Sequence, residues 1–160
     1  MAAKLHKLAQ LGPEQWRGLA AAYLYLLLAG WRLFVCRERL DRWLMGQAGA
    51  EAGTPLTLQE RNSLASRARW VNAAARHPLP WARCLQRSLA LCLWMERRRF
   101  QPQLRIGVRK EGGALLAHAW VEYRGEVIND SGQVLKEFAP LSGVNGGQVG
   151  VPGEERGRWI

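Results

Sequence analysis

Residues 81–130 read WARCLQRSLALCLWMERRRFQPQLRIGVRKEGGALLAHAWVEYRGEVIND, and this stretch decides the fold. It opens with an apolar helix that begins at Cys84 and runs towards Phe100. Two stripes, Leu85/Leu89/Cys92/Leu93 and Ser88/Leu91/Met95, cover most of its circumference. Such a helix is surrounded by protein. QLRIGVRK, residues 103–110, then alternates as a strand with Leu104, Ile106 and Val108 facing inward. Gly112-Gly113 turns the chain into a second strand over residues 115–124, and Arg124-Gly125-Glu126 leads into a third that ends at Asn129-Asp130. The expected class is α+β: N-terminal helices, a Cys-bearing central helix, and a small antiparallel sheet of three or four strands packed on it.

Three side chains here carry chemistry. Cys84 stands at a helix start, His118 in a strand and Asp130 at the end of the next. A free thiol titrates near roughly pH 8.5, but a helix N-terminus or a neighbouring imidazolium lowers that value and makes a nucleophilic thiolate available at neutral pH. The base must itself be oriented by a group that accepts the hydrogen bond of its other ring nitrogen. The order Cys84, His118, Asp130 therefore points to a thiol hydrolase or acyl transferase. Taken singly, each residue has a plainer reading. A cysteine in an apolar helix is usually a small core residue, which is the reading for Cys92 and Cys36. His118 alone is a satisfied sheet residue, and Asp130 before Ser131-Gly132 is a turn former. The combination in matching contexts outweighs these. For Trp120, shielding the imidazole or supporting an oxyanion is set against a core-anchor role, and the anchor is preferred.

Strand periodicity makes the pairing testable, because only residues of equal parity share a face. A three-residue loop at 124–126 would place Trp120 opposite Asp130 and leave His118 and Asp130 as diagonal neighbours, about 7–8 Å apart at the backbone. A two-residue Arg124-Gly125 turn would put them on opposite faces. The triad reading thus predicts an odd-length loop or a bulge.

The run Cys84-Leu85-x-Arg87-Ser88-Leu89-Ala90-Leu91, the strand Ile106-Gly107-Val108-Arg109, and Ala117-His118-Ala119-Trp120-Val121-Glu122 followed by Gly125 and Asn129-Asp130 resemble the lasso-peptide leader peptidases, the maturation B proteins. The resemblance covers roughly residues 57–141. It implies a transglutaminase-like, broadly papain-like core, with Cys84 as nucleophile, His118 as base and Asp130 as orienter. It also implies removal of the leader from a lasso precursor peptide before a separate ATP-dependent cyclase closes the macrolactam. Residues 1–50 read as helix only, with no winged-helix recognition module. The resemblance therefore points to the split arrangement, in which a separate small leader-binding protein presents the precursor. Two other readings remain: an acyltransferase or transglutaminase using the same triad, and a non-catalytic peptide-binding scaffold.

Outward from this core, Thr57-Leu58-Gln59-Glu60 is a capping box that starts a helix to about Arg76, with Leu64, Ala68, Val71 and Ala75 on one face. His77-Pro78-Leu79-Pro80 stops it, and His77 reads as a helix-end partner rather than a second base. Pro13 suits the first turn of an earlier helix reaching about Ala29, and helical spacing continues from Trp31 to Met45. The uncharged run from Gly18 to Trp31 is 14 residues, short of the roughly 20 that span a bilayer. Membrane contact through residues 19–35 is accordingly the less favoured reading beside core or partner packing. Residues 46–55 are Gly-rich and read as a linker. The division is 1–54, an N-terminal helical region and linker; 55–142, the peptidase core; and 143–160, a Gly-rich tail in which Trp159 and Ile160 could dock.

Three cysteines cannot all pair and match no zinc spacing, so a reducing cytoplasm is the simplest compartment, with no metal or cofactor expected. The net charge of +10 suits an acidic leader peptide or a membrane surface, with no nucleic-acid signature beside it, and equally suits a solvated face of helical arginines.

Overall fold

The computed structural model describes residues 12–35, 55–76 and 82–141. Three helices come first: α1, Pro13–Val35; α2, Leu58–Arg76; and α3, Cys84–Glu96. The strands follow as β1, Gln103–Glu111; β2, Ala114–Tyr123; and β3, Glu126–Val127. A short helix α4, Val134–Glu137, and a last strand β4, Ala139–Pro140, close the described chain. The sheet is antiparallel with order β3-β2-β1-β4. The architecture is α+β, with α3 at its centre.

The centrality of α3 follows from its sequence. Leu89, Ala90 and Leu93 join Ala22, Leu26 and Ala29 of α1 and Val71, Ala74 and Ala75 of α2 in one core cluster. Leu91, Cys92 and Met95 join Leu64 and Ala68 of α2, Leu104 of β1, and Val121 and Tyr123 of β2 in another. One helix serves two cores because it is apolar almost all round. Each fully buried Leu or Met side chain in these clusters contributes about 1.5–3 kcal/mol by leaving water.

Local signals set the ends of α2. The Thr57 amide donates to Glu60 Oε2 at 2.9 Å and the Glu60 amide donates to Thr57 Oγ1 at 3.2 Å, the reciprocal capping box read from the sequence. The first helix runs past Ala29 to Val35 without ending at Gly30, where a side chain would meet the Gln86 amide at 2.8 Å. Beyond Val35, the helical continuation to Met45, Cys36, the linker, His77 and the tail lie outside the described residues.

By length and composition, the 23 residues of α1 suffice to cross a bilayer. Three of them, Ala22, Leu26 and Ala29, are buried in the core shared with α2 and α3, while Leu24, Leu27, Trp31, Phe34 and Val35 are exposed.

Both hairpins are tight. Gly112 and Gly113, and Arg124 and Gly125, all have positive φ, as two-residue type I′ turns require. The three-residue loop expected at 124–126 is therefore not formed: Tyr123 pairs with Glu126 and Glu122 with Val127. Gly125 takes the left-handed conformation that glycine tolerates best, and Arg124 holds the other positive φ, 49°, of the turn. Carried further, this register would place Asp130 opposite Ala119 and on the face away from His118.

Candidate functional site

The register is not carried further. In β2, tight turns fix which backbone groups point where: His118, Trp120 and Glu122 bond to β1, while Ala119, Val121 and Tyr123 point to the β3 side. Ile128 N–H still donates to Val121 O at 2.9 Å. In return, however, the Val121 amide donates to the side-chain Oδ1 of Asn129 at 2.8 Å, not to a backbone carbonyl. At the next step the carbonyl of Ala119 accepts from Ser88 Oγ of α3 at 2.9 Å, and Asn129 Nδ2 donates to that same Ser88 oxygen at 2.9 Å. Two side chains thus replace the strand. The backbone leaves the ladder at Asn129, and Asp130 swings to the face it would otherwise have missed.

There it meets the imidazole. His118 Nε2 lies 2.6 Å from Asp130 Oδ2, and the Ser131 amide donates to Asp130 Oδ1 at 2.7 Å. A carboxylate only accepts, so Nε2 carries the proton, and in the neutral ring Nδ1 presents a lone pair. The ring stacks near Trp120, centroids 6.4 Å apart, and Phe138 lies on it at 5.2 Å. Trp120 is fully buried and its indole N–H donates to Glu122 Oε1 at 2.7 Å, so it is an anchor for the imidazole and not an oxyanion donor. Its ring fits because β1 has no side chain at Gly107, where a Cβ would fall 2.7 Å from Trp120 and 2.9 Å from Phe138.

Cys84 is half-buried at the first position of α3. The residue before it, Arg83, is extended and makes no side-chain cap, and the first turn holds no acidic residue. The earliest intrahelical bond is from the Arg87 amide to Arg83 O at 3.1 Å, so the amides of Cys84, Leu85 and Gln86 have no acceptor within the helix. Within α3 itself no side chain offsets the positive end of the helix around Cys84. Arg87 braces this end from outside, donating Nε to Ala82 O at 2.7 Å.

The helix and β2 run the same way, since Ser88 meets Ala119 while Leu91, Cys92 and Met95 meet Val121 and Tyr123. Four residues back from Ser88 is about 6 Å of helix, or roughly two residues of strand. Along the strand direction this brings Cys84 to about the height of Ala117 and His118, but among the described residues the thiol makes no hydrogen bond to the imidazole. Cys92 is different: burial above all, helped by the charge of Glu96, pushes its thiol far up and keeps it a neutral core residue. Among the described residues no three His, Cys, Asp or Glu side chains gather as a metal cluster.

Ser88, Asn129, Gly107 and Phe138 build this arrangement without having been singled out for that role from the sequence. The conflict between turn length and strand parity was the one signal that pointed near Asn129.

A family model described as the Transglutaminase-like superfamily matches residues 27–143, from within α1 through the whole sheet. Searches of curated proteins and of solved structures found no match.

Proposed function

From the premise that this chain belongs to the transglutaminase-like superfamily, whose chemistry is of the cysteine protease or acyltransferase type, we propose that it is a cysteine peptidase that removes the leader from a lasso precursor peptide. The carrying observation is the His118–Asp130 pair at 2.6 Å, made through Nε2, in a chain whose central helix begins with Cys84. The pair leaves Nδ1 as the nitrogen able to take a thiol proton.

The proposed reaction runs in two halves. His118 Nδ1 accepts the Cys84 proton and the thiolate attacks the scissile carbonyl. The developing oxyanion faces the uncapped amides at the start of α3. The imidazolium, steadied by Asp130, then protonates the leaving amine as the C–N bond breaks. Water, deprotonated by His118, attacks the thioester, releasing the leader acid and restoring the thiol. The freed core amine would pass to a separate ATP-dependent cyclase. A separate small leader-binding protein is the proposed presenter of the precursor, and a reducing cytoplasm, in keeping with the free thiols of Cys84 and Cys92, is the proposed compartment.

The test is mass spectrometry of a lasso precursor incubated with its leader-binding protein and either this chain or its Cys84→Ala variant. Leader and core fragments formed only by the unmodified protein support the reading. An amine adduct in place of the leader acid would make the chain an acyltransferase. A precursor bound but uncut by both proteins would make it a scaffold.

A further inference from the structure

The edge of β2 is accounted for only in part. On its β3 side the backbone groups of Tyr123 and Val121 meet β3, Ile128 and Asn129, and the Ala119 carbonyl meets Ser88. By the same alternation the next outward-pointing residues are Ala117 and Leu115. Among the described residues no strand or side chain pairs with them, and residues 114–117 are all exposed. The other edge of the sheet differs, because β4 pairs with β1 at Gly107 and Val108.

Sheet edges are normally blunted by charge, proline or a bulge. Here the edge reads Ala114-Leu115-Leu116-Ala117, with no charge and no proline, and Leu115 is 69% exposed. It runs without a break into His118. We propose that this edge binds an extended segment of the peptide substrate as an added strand, held by the amides and carbonyls of Leu115 and Ala117 and leading the scissile bond to Cys84. The inference rests on the peptidase reading for its occupant. Two hydrogen-bonding residues are too short an edge for a stable dimer of this chain but match a few residues of peptide beside a reacting bond.

Two measurements on the full chain test it. In the first, amide hydrogen exchange is followed by NMR in the Cys84→Ser variant, with and without a synthetic peptide spanning the leader–core junction of a lasso precursor and its leader-binding protein. Leu115 and Ala117 should gain at least tenfold protection, while Leu116, already bonded to β1, serves as the unchanged reference. In the second, the unmodified protein cuts the same peptide carrying single N-methyl groups. Methylation should lower kcat/KM roughly 3- to 10-fold at every second residue on one side of the scissile bond and leave the residues between untouched.

Cleavage with a flat N-methyl scan and no protection overturns the edge proposal and leaves the peptidase standing. Protection without cleavage supports the edge and removes the peptidase. Protection of the two amides in the chain alone, growing with protein concentration, would assign the edge to a second copy and overturn the proposal.

Discussion

His118 and Asp130 can meet only because Asn129 spends its side chain on the backbone of β2. Replacing Asn129 with alanine strands the Val121 amide and removes a partner of the buried Ser88 hydroxyl. The cost should be about 1–3 kcal/mol in denaturant unfolding, with a loss of activity larger than the unfolded fraction explains. Asp130→Asn should leave stability nearly unchanged yet lower kcat on the order of 10²–10⁴-fold, because an amide can donate as well as accept and no longer dictates the tautomer. Stopped-flow acylation at fixed pH reads that loss directly. At Gly107, alanine would press on Trp120 at 2.7 Å and Phe138 at 2.9 Å. The expected destabilisation is about 1–3 kcal/mol, and the imidazole would lose its seat with it.

Among the elements, α2 offers a clean case of pH linkage. The backbone and side-chain hydrogen bonds from Thr57 hold the Glu60 carboxyl below its ordinary range. A lowered folded-state value means the stabilisation is present above the ordinary carboxylate range and fades as pH falls through the folded value. Thr57→Ala should therefore be less stable than the unmodified protein near neutral pH, and the gap should narrow in acid, as urea midpoints across pH would record. This cap was legible in the sequence, as were the spans of α2, β1 and β2, since each rests on contacts between near neighbours. The helix start at Cys84 and the pairing of His118 with Asp130 were legible too. What was not legible is how the strand ends. That depends on Ser88, 41 residues from Asn129, supplying a hydroxyl where a backbone group would have been. Period-two reasoning cannot anticipate a bond of that range, so it expected a longer turn where a glycine-bearing short turn forms.

For the molecule as a whole, α1 is held by Ala22, Leu26 and Ala29 on its inner side while much of its outer face stays apolar and exposed. Leu26→Ala should cost 2–5 kcal/mol, because the side chain is fully buried between α2 and α3. Phe34→Ser, at a position 88% exposed, should shift stability by less than about 0.5 kcal/mol and improve solubility. Thermal unfolding of the pair would show whether α1 is part of the cooperative unit. The exposed ion pairs, such as Arg61 to Glu126 at 2.6 Å, should add little to that unit and less at high salt. The two short hairpins also set an order of events in time. Hairpins of this kind close in about 1–10 μs, whereas the Ser88 bond to Ala119 spans 31 residues and waits for α3 to dock. Asp130 is released from the ladder only with that docking. A refolding chain should therefore regain its β-sheet signal before any thiol-dependent activity, and a newly made copy would become reactive only after its own extended segments are out of reach of its neighbours.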